Sequence, residues 1–533
     1  MSRVALFVVV GVVGASVFAC TGFTGDSPSP SPSPTADPDS GAPSPDSGLP
    51  SVGTVFTGIS VTAGDGKTLF MVQSRTATVP VKLERKGSST GPVAIKLTKV
   101  PTGTTVDALT IPAGATDGTL TLHVGATTPQ GPFALELIAT ELVDNGATGI
   151  AMLDTFVRGL PGTLDTTFGT GGVVKQVFAS GTSGASDVQV MLNGDIVVAG
   201  HRTNTLTLVR YTPDGVLDTT FGGGTGRANV ITAQGSLFFD IHEGATPADG
   251  FISSLSYGTV TAVVARTTLD GTPDTKFNNT GQAPVTLGLG NLNGIQTFAL
   301  SSGDALVLTY HFTNKLAVVS RWKSNGTLDS TYGTSGTCQL SATGTGSTLG
   351  GTSGMLLHPD GSVWVALNLA SGAVKGCSAT GGVDMTVGTA PDYFASFYPS
   401  GQMVPNVGGG FVFLGATSWS RANAGFVADT GIGNFGSVSV APLTNARWPV
   451  VQPDGAVVVL GDLSTAPAGS FTLRRFKQNS MDDPEFGTAG TATIAIGTNT
   501  YAAAKLIAQP DGRLLVVGTQ DDNFDGFLAR VWN

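Results

Sequence analysis

Carboxylates and guanidinium groups recur along this chain at fixed distances. Asp165, Asp218, Asp274, Asp329, Asp384, Asp429 and Asp483 follow one another at intervals of 45 to 56 residues. An Arg stands eight positions before most of them, at Arg210, Arg266, Arg321, Arg421 and Arg475, with Gly376 in that place before Asp384. Arg530 occupies the same place in a last unit that ends before any Asp. A circle of such acids could ligate a cation. Presence in every unit argues instead for a structural part, either an Asx-type turn or a partner for the recurring Arg.

Other chemistry is sparse. The five His residues, His123, His201, His242, His311 and His358, lie far apart with no metal-ligand spacing. Asp521, Asn523 and Asp525 match the first half of a calcium loop, but position twelve is Trp532 and supplies no closing carboxylate. No GxSxG elbow, HExxH or P-loop occurs, so the sequence assigns no catalytic residue, cofactor or metal. Cys338 and Cys377 are 39 residues apart within one repeat interval. In an oxidising compartment they pair as a disulfide; the alternative is two buried thiols.

These residues need elements to hold them, and the repeat supplies those. Leu164-Asp165-Thr166-Thr167-Phe168-Gly169 returns as Leu217-Asp218-Thr219-Thr220-Phe221-Gly222, with looser copies at the other Asp positions. About halfway through each unit a turn precedes an apolar run, as in Asn193-Gly194 before Ile196-Val197-Val198 and Asp511-Gly512 before Leu514-Leu515-Val516. That is a hairpin signal. Units of this length with about four strands each predict propeller blades, seven of them over residues 161–533. The chain ends on a strand lacking its Asp motif, and the repeat opens on an Asp motif lacking its strand. The first segment therefore completes the last blade and closes the ring. Around Asp429 the midpoint turn is either Ser400-Gly401 or Gly408 to Gly410.

The units resemble delta-60 repeats, a β-propeller-like family of bacterial surface and secreted proteins. The residues carrying the likeness are the two LDTTFG runs, Gln452-Pro453-Asp454-Gly455, Gln509-Pro510-Asp511-Gly512 and Leu208-Val209-Arg210-Tyr211. The resemblance implies the fold and a surface location. It carries over no active site.

Residues 53–160 read differently, as a β-sandwich of about seven strands. Runs such as Leu120-Thr121-Leu122-His123-Val124 alternate apolar and polar positions, which marks a strand with one buried face. Leu109 to Ala115 followed by a Thr-rich strand resembles bacterial immunoglobulin-like domains. Its expected role is spacer or adhesive module.

The N-terminus reads as an export signal over 1–19, with one Arg and an apolar run from Val4 to Val17 that is short for a membrane span. Ala19-Cys20 resembles the bacterial lipoprotein signal, in which the Cys is acylated. A Pro/Ser-rich tether, 20–52, follows and favours extended polyproline geometry. Composition agrees with this organisation. The 533 residues include 75 Gly, about twice the usual share, and charged residues are 12%, about half of it. The net charge of −10, with no basic stripe, excludes nucleic acid as a partner. The expectation is an all-β, monomeric protein, lipid-anchored at the bacterial outer membrane or cell surface, its membrane contact made only through the lipid. Its ring is expected to act as a non-catalytic scaffold for an unidentified protein or glycan. Two alternatives stand beside it: a propeller enzyme acting on extracellular glycans, and an envelope assembly scaffold.

Overall fold

A computed structural model describes residues 59–533 except 179–182, 203–204, 233–236, 244–249, 258–260, 290–291, 312–315, 342–351, 368–372, 385–401, 424–426, 434–435, 498–500, 521–524 and scattered single positions. The signal, Cys20 and the tether lie outside the described residues, as do Asp521 and Asn523. The described residues are all-β, in two compact units. Among them, no helix is long and apolar enough to cross a membrane.

The N-terminal unit has nine strands: β1 (Ile59–Ala63), β2 (Leu69–Val72), β3 (Thr76–Arg85), β4 (Val93–Thr98), β5 (Thr104–Val106), β6 (Leu109–Ile111), β7 (Asp117–Val124), β8 (Gly131–Glu141) and β9 (Thr148–Arg158). They form two sheets, ordered β1-β3-β7-β5 and β2-β9-β8-β4-β6. Alternation does the work. In β3 the inward Val79, Val81 and Leu83 are buried while Pro80, Lys82 and Glu84 face out, and the inward residues of both sheets join one core. Two strands differ from the sequence expectation. The run Thr105–Ile111 breaks at Asp107-Ala108, so that β5 pairs with β7 and β6 pairs with β4 in the opposite sheet. Leu69–Val72 is apolar without alternation, which hides it from a period-two reading, and it pairs in parallel with β9.

Among the described residues, the second unit contains seven four-stranded antiparallel sheets. The first runs Ser183–Val190, Ile196–Arg202, Thr205–Tyr211 and Arg227–Thr232, paired in that order. Five more follow with the same order, their first strands at Leu237–Glu243, Leu292–Ala299, Thr352–Leu357, Gln402–Pro405 and Thr444–Val451. In the fifth sheet the midpoint turn falls at Asn406 to Gly410, where the Asn406 N–H donates to the Gly410 carbonyl. The seventh sheet takes Tyr501–Ala508, Leu514–Gln520 and Asp525–Val531 from the end of the chain and Val173–Lys175 from the start of the repeat. That last pairing is antiparallel, with Val173 opposite Ala529 and Lys175 opposite Phe527.

First strands of consecutive sheets lie against one another, and that of the seventh lies against that of the first. Apolar clusters sit between neighbouring sheets. Val197, Leu206 and Leu208 of the first sheet pack with Phe251 and Ala265 of the second, for example. Ile507, Leu515 and Leu528 of the seventh pack with Val188, Val198 and Val209 of the first. Each sheet is thus apolar on both faces, which is why charged residues are few.

Candidate functional site: the motif turns and the ring axis

Five of the recurring Asp residues, Asp218, Asp274, Asp329, Asp429 and Asp483, sit in turns after the third strand of their sheets, whereas Asp384 is paired in a strand with Gly376. The backbone N–H of Asp218, Asp274, Asp329, Asp429 and Asp483 each donates to the carbonyl of the Arg eight residues earlier, at 2.8–3.1 Å. One carboxylate oxygen then accepts the N–H two residues on: Thr220 at 2.9 Å, Lys276 at 3.0 Å, Thr331 at 3.2 Å, Gly431 at 3.1 Å and Glu485 at 3.2 Å. Asp165 holds Thr167 in the same way at 3.1 Å. These are Asx turns. The other oxygen takes the Arg in three sheets, with Arg210 Nε 2.6 Å from Asp218, Arg266 Nε 2.7 Å from Asp274 and Arg421 Nη2 2.6 Å from Asp429. Arg321 departs from this pattern. It lies 3.7 Å from Asp329 and turns to Asp304, at 2.7 Å, which also accepts the Ser324 N–H. Arg475 divides between Asp483 at 3.2 Å and Asp454 at 2.6 Å.

Electrostatics follow from these bonds. The Arg421 guanidinium holds the Asp429 carboxyl below the ordinary carboxylate range, against the opposing effect of burial. The Thr331 hydroxyl does the same for Asp329. At Asp218 burial pushes the value up, but Thr220 and Arg210 together bring it below the ordinary range.

The motif also reaches across to the neighbouring sheet. Arg210 Nη1 donates to the Leu269 carbonyl of the second sheet, 2.7 Å, and Arg421 Nη1 to the Gln478 carbonyl of the sixth, 3.0 Å. Arg530 of the seventh donates to the Pro213 carbonyl of the first. In four motifs the small closing residue does likewise with its N–H: Gly169 to Asp214, Gly222 to Asp270, Asn278 to Asn325 and Gly333 to Thr380, each 2.8 Å. The motif aromatics Phe168, Phe221, Phe277 and Tyr332 are buried beneath. At Gly271, where φ is +84°, an added Cβ would sit 2.7 Å from Phe221 Cζ. Asp, Arg, aromatic and Gly therefore form one lock between consecutive sheets, and their chemistry is spent on it.

The fourth sheet lacks the Arg. Gly376 stands opposite Asp384 in the ladder, and the disulfide is adjacent. Cys338, in Thr337–Ser341 of the third sheet, is joined to Cys377, in Ala373–Cys377 of the fourth, with a Cα separation of 6.2 Å. Both are buried in the apolar layer between the two sheets. The crosslink lies at the seam where Arg321 has turned back to its own sheet.

A second set of residues, which the sequence reading missed, lines the axis. In each first strand the residue three before its last ladder position occupies an equivalent place: Asp187, Asp240, Gln296, Gly354, Gln402, Trp448 and Lys505. Lys505 Nζ lies 2.8 Å from Asp187 Oδ1, with both side chains about 95% buried (4% and 5% exposed), and the Val188 N–H also donates to that oxygen. Lys505 Nζ is 4.3 Å from the centre of the Trp448 indole. Gln296 accepts the Met355 N–H at 2.7 Å, and Gln402 accepts the N–H of Trp448. The ladders shift register beside several of these positions, at Ala185/Asp187, Thr352/Gly354, Arg447/Val450 and Ala503/Lys505. Such a bulge takes N–H groups out of the ladder, and an amide from the preceding sheet caps them at Met355 and Trp448. The signal available in the sequence was positional: a polar residue at a similar place in five of the seven first strands, Asp187, Asp240, Gln296, Gln402 and Lys505.

Of the remaining candidates, His123 pairs with Asp107 at 3.0 Å and His358 with Asp360 at 3.1 Å, in different units. Among the described residues no group of three or more His, Cys, Asp or Glu is placed to hold a metal ion. With this geometry in hand, residues 193–221 match the model of a family described as a domain of unknown function (DUF5122) beta-propeller. That stretch runs from the first midpoint turn through the second Asp motif, so the chain is similar to that family at the repeat itself. This is a β-propeller-like repeat protein. A search of curated proteins finds no match.

Proposed function

We propose that the chain is an exported, lipid-anchored envelope protein. Its immunoglobulin-like sandwich carries a closed seven-bladed propeller of delta-60 type, which serves as a non-catalytic scaffold binding a protein or glycan ligand. The observation that carries this reading is the use of the recurring acids and bases. The Asp and Arg residues at 210–218, 266–274 and 421–429 are bonded to one another. They act as structural locks, and the variable connections of the ring are left to meet a ligand. The anchor rests on the apolar run to Val17, Cys20 and the Pro/Ser-rich stretch behind it. Two acyl chains at Cys20 give stable membrane attachment, whereas one chain binds only marginally.

The test pairs crosslinking and pull-down from intact cells with a glycan array probed by the purified chain. Recovery of a defined protein or a defined glycan class supports the scaffold; recovery of neither refutes it. Substitution of Cys20 by Ser is expected to move the protein from the detergent phase to the aqueous phase on phase partition, and an unchanged distribution would remove the anchor from the proposal.

A further inference from the structure

The axial residues do more than cap bulges. Lys505 and Asp187 neutralise one another in a buried pair, so each charge is already engaged. Around them, Gln296, Gln402 and Trp448 are only partly buried, so solvent reaches the axis at this level. Both amides are oriented. Gln296 has its oxygen fixed by the Met355 N–H and Gln402 has its oxygen fixed by the Trp448 N–H, so the Nε2 group is the donor that each side chain has left to offer. Trp448 is held in place just as firmly. Its φ of 51° lies in the left-handed region, where a bulky side chain is a true outlier, and Asn445 three residues earlier has a φ of 48°. Register shifts flank this stretch on both sides. Strain of this kind persists only where the surroundings over-determine it, and it gathers at ligand sites. Here those surroundings are Lys505 against the indole, Gln402 on the backbone N–H, and Arg447 pinned between Asp462 at 2.9 Å and the Ala503 carbonyl at 3.0 Å.

We propose that the axis at this level is a saccharide-binding site, in which Trp448 is the platform for the C–H face of a neutral sugar ring and Gln296 and Gln402 donate to its hydroxyls. The inference rests on the reading of the ring as a binding scaffold and names its ligand class. An aromatic plane with a polar handle beside it suits a ligand that has an apolar face and a polar rim. The alternatives fit less well. An anionic ligand would have to compete with Asp187 for Lys505, and an apolar ligand would leave the oriented amide donors without partners.

The experiment uses the full chain in detergent, with neutral oligosaccharides of glucose, galactose and N-acetylglucosamine as probes on an array and in titrations followed by tryptophan fluorescence. Binding by at least one probe is expected, weakened at least tenfold by Trp448→Ala and several-fold by Gln296→Leu. Circular dichroism and the thermal midpoint report whether each variant folds. If Trp448→Ala does not fold, Trp448→Phe keeps a ring at the position and is expected to weaken binding several-fold with the midpoint unchanged. Saccharide binding that is equal in the folded variants overturns the site. Binding of no probe, together with a protein captured by crosslinking, overturns this inference and leaves the scaffold reading standing; binding of nothing by either route removes both.

Discussion

The lock between sheets depends on single atoms, so it is tested one residue at a time. Gly271 and Gly223 share a left-handed backbone, with φ of +84° and +70°, but differ in what a methyl group would meet. At Gly271 it would press on the Phe221 ring and on Ala228; at Gly223 there is open space. Gly223→Ala is therefore expected to cost about 1 kcal/mol, the conformational term alone, and Gly271→Ala about 2–4 kcal/mol because overpacking adds to it. Denaturant midpoints measure the difference, and equal costs would mean that the turn yields where the lock model says it is rigid. Removal of the guanidinium in Arg210→Met takes one donor from the Leu269 carbonyl and one from Asp218, which keeps Thr220, at a cost of about 1–3 kcal/mol. Acid acts on the same bonds. The carboxyls of Asp218, Asp329 and Asp429 titrate below their ordinary values in the folded chain. A depressed folded value means that the stabilisation is complete above the unfolded carboxyl range, near pH 4, and is lost as pH falls through the folded values. Thermal midpoints are thus expected to hold from neutral pH to about pH 5 and to drop steeply below about pH 4. Asp218→Asn should flatten part of that drop.

At the scale of elements, the repeat was legible because each unit obeys local rules that do not depend on its neighbours. Gly194, with a φ of 89°, makes the turn from Met191 to Asp195, and the strands around it follow from their Val and Ile content. The Asx turns at Asp218 and Asp274 were legible for the same reason, since the partner is two residues away. What the sequence withheld was every partner from another unit: the Leu269 carbonyl for Arg210, the Gln478 carbonyl for Arg421, and the cap of Gln402 on Trp448. Those depend on how sheets align around the axis, and no periodicity records that. The split of Thr104–Ile111 between two sheets was hidden likewise, because a strand that changes sheet keeps its composition. The Cys338–Cys377 link lies at the seam that Arg321 leaves without a guanidinium. Arg321 pairs with Asp304 of its own third sheet instead of reaching forward, and a covalent bond secures the seam between the third and fourth sheets. Closure of a loop of 39 residues contributes about 4 kcal/mol by the chain-entropy estimate. Reduction, or the double change Cys338→Ser with Cys377→Ser, is expected to lower stability by about that much and to raise hydrogen exchange in the third and fourth sheets first. Uniform loosening of all seven sheets would show that the bond stabilises only through the unfolded chain.

For the whole repeat unit, the decisive question is how the two ends of the ring are joined. A sheet edge left open is a template for pairing with another chain, and a seventh sheet without its fourth strand would present Asp525–Val531 as one. Here three residues, Val173–Lys175, cover the strand Asp525–Val531, with the Arg530 N–H bonded to the Gly172 carbonyl alongside. Behind them the buried Lys505–Asp187 pair ties the seventh sheet to the first at the axis. Truncation of one partner of such a pair leaves a buried charge and costs about 3–5 kcal/mol, whereas replacement of both by apolar residues of similar size costs little. Asp187→Leu and Lys505→Met should therefore each destabilise strongly alone and recover together in a double-mutant cycle. The outer strand predicts something else. Replacement of Val173-Val174-Lys175 by Gly-Pro-Gly keeps the buried core between the seventh and first sheets apart from the flanking Val174, but removes the cover from Asp525–Val531. Exchange protection is expected to fall in that strand and in Leu514–Gln520 beside it, while the second to sixth sheets keep theirs. Light scattering should report concentration-dependent oligomers as exposed edges pair between molecules. Retained protection at Asp525–Val531 in a monomer would mean that the closing strand is dispensable and that the axial pair alone holds the ring shut.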